Sequence, residues 1–323
     1  MRCSLLLCAP LALMGCDGVS KNPVDIDAAI DSPIDSPDDG AIQLTAHRYI
    51  IDKQLIPTNN TQARDFGLDL DGDAVVDNQL GMVMGTLAGQ GFEVQTPVAT
   101  SVDRGEILLL AELGANGFVS GPVSFTLFSG ADPQPPPCNG AGDTICRHHL
   151  AGTGSFTVAA GSAHDMPLTG ALVGGIATTD VGSGHLQLVT NLGGGRVVLN
   201  LLGARAKLSA ISDATVANGV IAGAVTRTEI DTKLLPAWQM SFDAAVARDC
   251  PGAAPTCSCI SGSQGQTLQQ LFDTTPRDCS ISLTELMNNS LIQSLLAPDV
   301  TIDGQQALSL GIGVTAVKAA FTP

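Results

Sequence analysis

The sequence predicts an α+β protein dominated by β-structure: an antiparallel sheet or β-sandwich with a few flanking helices, stapled by disulfides. Three observations predict it. Polar and apolar residues alternate in the middle of the chain, as in His185-Leu186-Gln187-Leu188-Val189 and Arg205-Ala206-Lys207-Leu208-Ser209, and a period of two is that of a strand with one face buried. There are 36 glycines and only 3% aromatic residues among 44% hydrophobic ones, so the core is built from Val, Leu, Ile and Ala with Gly at its breaks. Six cysteines lie beyond the first sixteen residues, and an even count in an exported chain reads as a disulfide framework.

The elements follow in order. The strand pattern is clearest from about Gly152 to Thr226, including the more buried run Arg196 to Leu201 and Val220 to Val225. It returns in Leu308 to Phe321. We expect a β-sandwich or a curled sheet there. Two helices flank it. Residues 78–88 are apolar at helical spacing through Leu80, Met84 and Leu87. Residues 283–296 carry a stripe of Leu283, Leu286, Met287, Leu291 and Leu295. Ser282 and Glu285 have the spacing of a capping box, and Pro298 follows the end.

Residues 1–16 read as a secretory leader. Arg2 supplies the positive start, and Ser4 to Met14 is an apolar stretch too short to span a bilayer. Leu13-Met14-Gly15-Cys16 has the form of a lipobox: a small residue before a cysteine whose thiol takes a lipid. Cys16 is the expected lipidation site, and the membrane is the expected partner through that anchor. Residues 17–41 are rich in Asp and Pro and repeat Ile-Asp-Ser-Pro. Such composition cannot bury enough apolar surface to fold, so this stretch reads as a disordered acidic stalk. Three further regions follow: residues 42–131 with an Asp-rich loop, the β-rich core at 152–249, and a Cys-rich segment with a helix and a terminal strand at 250–323.

The net charge is −16. A chain of that sign repels nucleic acid and attracts divalent cations, and the scarcity of rings removes a stacking platform. Of the cysteines, Cys138 and Cys146 flank a short Gly-rich loop and are expected to pair with each other. Cys250, Cys257, Cys259 and Cys279 allow three pairings. Cys257-x-Cys259 lacks the spacing and the His pair of a zinc site.

Asp69-Leu70-Asp71-Gly72-Asp73-Ala74-Val75-Val76-Asp77 is the richest candidate site. Carboxylates at alternate positions can converge on a hard cation that takes six to eight oxygens. Asp69, Asp71 and Asp73 are the expected carboxylate ligands. The Val75 carbonyl is the expected backbone ligand, and Asp77 binds directly or through water. The Val75-Val76 pair is expected to tie the loop to the core. The alternative is an Asp-rich turn before a helix capped by Asp77. The stretch resembles the calcium loops of EF-hands, dockerins and thrombospondin type-3 repeats. It departs from the EF-hand at Ala74, where a Gly is usual, and at Leu80, where a bidentate Glu is usual. The resemblance implies calcium at weak affinity, with a dissociation constant of about 10⁻⁴–10⁻³ M. Asp273 to Glu285 looks like a degenerate second loop, spoiled by Pro276 and Arg277.

There is no Gly-x-Ser-x-Gly elbow, His-Glu-x-x-His helix or phosphate loop. His148, His149 and His164 read as surface-loop residues, and Ser162, His164 and Asp165 as neighbours in sequence rather than a triad. The layout also resembles a group of uncharacterised predicted lipoproteins of myxobacterial type. That likeness rests on the stalk, on Phe66-Gly67-Leu68-Asp69-Leu70-Asp71-Gly72-Asp73, on Asp77-Asn78-Gln79-Leu80-Gly81, and on Leu295 to Val300 and Leu308 to Gly311. It implies a cell-envelope location and a calcium loop, and no reaction. The expected function is a lipid-anchored, calcium-stabilised binding or scaffolding ectodomain. A carrier with an apolar cavity lined by Leu186, Leu188, Val198 and Leu199 is the alternative, and an envelope hydrolase the third reading.

Overall fold

The computed structural model describes residues 43–323 apart from 93, 183 and 192–194. Cys16 and the acidic stalk lie outside the described residues. Eleven strands form one sheet: β1 (Ala46–Leu55), β2 (Leu109–Gly114), β3 (Gly121–Gln134), β4 (Gly154–Val158), β5 (Leu168–Val173), β6 (Ile176–Thr179), β7 (His185–Asn191), β8 (Arg196–Ile211), β9 (Thr215–Val225), β10 (Val300–Ile302) and β11 (Gln305–Ala320). Eight of them pair in a ring. β1 joins β2, then β3, β5, β6, β8, β9 and β11, and β11 returns to β1, with every pair antiparallel. The expected antiparallel sheet therefore curls until its first and last strands meet, which removes the exposed edges of an open sheet. β7 and β10 extend β8 and β11, and β4 bonds both β3 and the end of β11.

The strands come from all three regions that the composition separates, so 43–323 folds as one compact unit. The expected strands over 152–226, returning at 308–321, are part of a larger sheet. β1 to β3 precede them, and their runs, such as Leu108-Leu109-Leu110-Ala111, are buried on both faces and show no alternation.

The up-and-down order puts the hairpin turns at 115–120, 174–175 and 212–214 at one end of the ring, with the start of β1. The two longest connections lie at the other end, and they hold the α-helices. Between β1 and β2 run α1 (Asn60–Asp65), α2 (Gln79–Gly89) and α3 (Gln95–Asp103). Between β9 and β10 run α4 (Arg227–Glu229), a π-helical stretch (Ile230–Leu234), α5 (Leu235–Asp249), α6 (Gln264–Phe272), α7 (Leu283–Asn288) and α8 (Ser290–Leu295). Their buried residues continue the core of the ring. Trp238 and Phe242 are fully buried there, and Phe242 stacks on Phe272 at 5.4 Å between ring centroids.

The expected α2 is present. The expected 283–296 helix carries its capping box but breaks at Asn289. Asn289 is extended, and its side chain accepts from the amides of Leu291 and Ile292, so it starts a new helix instead of continuing the old one. The long α5, which buries Leu235, Trp238, Phe242, Ala245 and Val246 along one face, is not among the expected helices.

The two faces of β9 and β11 explain where the Asp-rich segment goes. Ile221, Val225, Leu308, Leu310, Ile312 and Val314 belong to the main core. The opposite face holds Ala222, Ala224 and Ala307 in a second cluster with Leu68, Leu70, Val300 and Ile302, and further along β11 it holds Ser309, Gly311 and Gly313. These small residues let a second layer of backbone lie against the sheet. A Cβ at Gly311 would sit 2.0 Å from the Phe66 carbonyl oxygen, and one at Gly313 2.7 Å from the Phe66 ring.

Asn78 binds this layer to the strand. Its Nδ2 donates to the carbonyls of Ala63 and Gly311, each at 2.9 Å. Its Oδ1 accepts from the amides of Gly81 at 3.0 Å and Gly311 at 2.8 Å. One buried side chain thus caps α2, closes the end of α1 and pairs with β11 as a strand neighbour would. Asn78→Ala removes the cap and strands buried polar groups, and urea denaturation of the 43–323 unit is expected to show a loss of about 3–5 kcal/mol.

Candidate metal centre

The Asp-rich loop is a closed hairpin-like excursion between α1 and α2. Asp77 donates its amide to the Leu68 carbonyl at 3.1 Å, and the pair forms a β-bridge. Leu68 and Leu70 point into the second cluster and hold the loop to the sheet. The expected hydrophobic tie through Val75 and Val76 is not made, since these side chains are 58% and 53% exposed. Alternation decides this: the residues flanking the first carboxylate face inward, and the loop has left the sheet surface by position 75. From β8, Arg205 donates to the Asp69 carbonyl and to the Thr179 carbonyl, the latter at 2.9 Å and 3.1 Å.

The carboxylates organise the loop before any ion is considered. Asp69 accepts from the amides of Gly72 at 2.7 Å and Ala74 at 3.1 Å. Asp71 accepts from Asp73, and Asp73 from Val75 at 2.7 Å. Asp77 accepts from Leu70 at 2.7 Å. Gly72 and Ala74 are both left-handed, with φ of 86° and 67°. Ala74 thus adopts the backbone turn for which EF-hands use Gly, at a steric cost of roughly 1–2 kcal/mol.

Asp69, Asp71 and Asp77 each bring a carboxylate oxygen within 4.8 Å of the others. This cluster can hold a metal ion. Asp73 is outside it and spends an oxygen on the Val75 amide. Asp77 belongs to this cluster and is not the helix cap, because the cap is Asn78. Burial raises the Asp77 pKa to about 6. The Leu70 amide opposes the rise, while the charges of Asp71, Asp299 and Asp73 add to it. Converging carboxylates of this kind favour either a proton or a cation.

In the Asp273–Glu285 segment the carboxylates accept hydrogen bonds from the chain itself. Asp273 is buried and accepts from Gln269 at 3.0 Å and from the amides of Asp278 at 3.2 Å and Cys279 at 3.1 Å. Glu285 serves the capping box and the Thr274 amide. The disulfides are Cys138–Cys146, as expected, with Cys250–Cys259 and Cys257–Cys279 resolving the open pairings. Together the last two pin the loops around α6 to α5.

His148 is on the surface, with Nε2 2.8 Å from Asp143. His149 is the exception to the surface reading: it is buried, with its ring edge-on to Phe156 at 6.3 Å, and burial lowers its pKa to about 4. Ser162 is committed to the Ser129 amide at 2.9 Å, and His164 packs against Phe128, so these residues do not assemble a triad. Leu186, Leu188, Val198 and Leu199 pack in or against the main core.

The residues that sequence reasoning missed are Asn78 and Arg205. Each has one partner more than a hundred positions away, Gly311 for Asn78 and Asp69 for Arg205, and no local spacing announces that. The chain matches no family model, no curated protein and no solved structure.

A pH dependence follows from Asp77. Its folded pKa lies above the ordinary carboxylate value, so between about 4 and 6 the folded state binds more protons than the unfolded state. Stability in the absence of divalent cations is expected to fall as pH rises through that window and then level off. Thermal melts in EDTA from pH 4 to 7 would show it, and Asp77→Asn should flatten the decline.

Proposed function

We propose that this protein is a lipid-anchored cell-envelope ectodomain whose Asp-rich loop binds calcium and whose barrel serves in binding or scaffolding. The convergence of Asp69, Asp71 and Asp77 carries the reading. Three oxygen ligands on one loop suit a hard cation with flexible geometry, and the Val75 carbonyl and water complete the shell in the arrangement that the EF-hand likeness implies. Calcium neutralises mutual repulsion among the carboxylates, so its effect is to order the loop on the face of β9 and β11. The missing twelfth-position carboxylate keeps the affinity in the range of extracellular modules, about 10⁻⁴–10⁻³ M. The anchor is read from the Leu13–Cys16 lipobox. Among the described residues no helix is long and apolar enough to cross a membrane.

The 43–323 unit should melt roughly 5 °C higher in calcium at about a hundred times the dissociation constant than in EDTA. Asp71→Ala/Asp77→Ala should abolish the difference. Equal melting in calcium, magnesium and EDTA would reduce the loop to a hydrogen-bonded turn. Separately, metabolic labelling with radioactive palmitate should mark the full chain, and Cys16→Ser should remove the label. A labelled variant or an unlabelled parent would dismiss the anchor.

A further inference from the structure

The end of the barrel where the chain enters carries an apolar, electrically balanced surface. Gln43, the first described residue, is fastened there: its carbonyl accepts from Asn116 Nδ2 at 3.0 Å, and the Thr45 amide donates to Asn116 Oδ1 at 3.0 Å. Around this end stand the β2–β3, β5–β6 and β8–β9 turns. Val119, in the first turn, is 71% exposed, and Val173 and Ile176, flanking the second, are 72% and 41% exposed. The two hairpins touch, because the Gly175 amide donates to the Val119 carbonyl at 3.0 Å. Val173 and Ile176 are direct cross-strand partners and share a face. Three branched aliphatic side chains thus face solvent together on adjoining hairpins.

The charge is as telling as the apolar surface. The segments forming this end are residues 43–48, 112–124, 170–178, 208–218 and 315–320. They contain two cations, Arg48 and Lys318, and two anions, Glu112 and Asp213. Arg48 pairs with Glu112 at 2.8 Å, and Asp213 lies 3.0 Å from His47. The chain as a whole carries −16. Within residues 43–323 the excess negative charge lies away from this end, into which the acidic residues 17–41 lead.

We infer that this end of the barrel rests on a lipid bilayer, with Val119, Val173 and Ile176 dipping into its interface. The inference rests on the proposed lipid at Cys16. Three aliphatic side chains are too few to hold a free protein on a membrane. A chain already anchored through residues 17–42 presents them at an effective concentration on the order of millimolar, at which weak contacts become populated. The contact fixes which side of the molecule faces outward, and it leaves the helical end with the Asp-rich loop away from the lipid.

Depth-dependent fluorescence tests this on the full lipidated chain. Trp238 is the single tryptophan and is fully buried, so an added indole reports its own surroundings. A Val119→Trp chain is reconstituted in phosphatidylethanolamine–phosphatidylglycerol vesicles with and without bromine on the acyl chains. Gln306→Trp, about 40 Å along β11 from Lys318 at a strand's rise per residue, reports the opposite end. The added emission of V119W should fall by half or more in brominated vesicles, that of Q306W should not change, and Val173→Asp/Ile176→Asp added to V119W should restore the signal. A V119W chain that floats with the vesicles and is not quenched overturns the inference and leaves the anchor standing. Equal quenching at both positions also overturns it. Unquenched but blue-shifted emission, with sedimentation as a dimer, assigns the surface to a second copy instead. A chain that does not float overturns the anchor and this inference with it.

Discussion

The arrangement of this protein turns on four hydrogen bonds from one buried amide. Asn78 satisfies both backbone groups of Gly311 on the outer face of β11, the last carbonyls of α1 through Ala63, and the first amides of α2 through Gly81. Each of these groups would otherwise be a buried polar orphan. The bond set fixes the distance between the Asp-rich loop and the barrel, because Asp77 precedes Asn78 directly. The absence of side chains at Gly311 and Gly313 is the other half of the constraint, since any Cβ there would meet Phe66.

Closure of the sheet explains why so few aromatic residues suffice. A ring of eight antiparallel strands has an inside that Val, Leu, Ile and Ala can fill. Four aromatic residues, Trp238, Phe242, Phe272 and Phe92, meet in the helical connections, while Tyr49, Phe125, Phe128 and Phe156 are buried on strands. The disulfides lie in the irregular connections and not in the ring. Cys250–Cys259 and Cys257–Cys279 hold the loops of the helical connection, which lack ladder hydrogen bonds of their own.

The loop itself illustrates how carboxylates divide their work. Asp69 and Asp77 each take backbone amides and still face Asp71, so the turn is formed and its charges are concentrated. Arg205 steadies the backbone by binding the Asp69 carbonyl, and it does not neutralise the carboxylates. That leaves the cluster with excess negative charge beside a partly buried Asp77. A site with these properties is prepared for a cation in a way that a salt-bridged loop is not.

The sequence by itself determined what depends on neighbouring residues: the strand alternation of β7 to β9, the capping box at Ser282, the near disulfide Cys138–Cys146 and the Asp-rich turn. Each of these is set by spacings of a few positions. Only the tertiary structure decided the rest. Closure of the ring joins β1 to β11 across most of the chain. The pairing of the last four cysteines depends on how α6 docks on α5. Val75 and Val76 face water because it is Leu68 and Leu70 that pack against the alanines of β9. These outcomes are contacts between distant segments, and their energies exist only once the chain has folded them together.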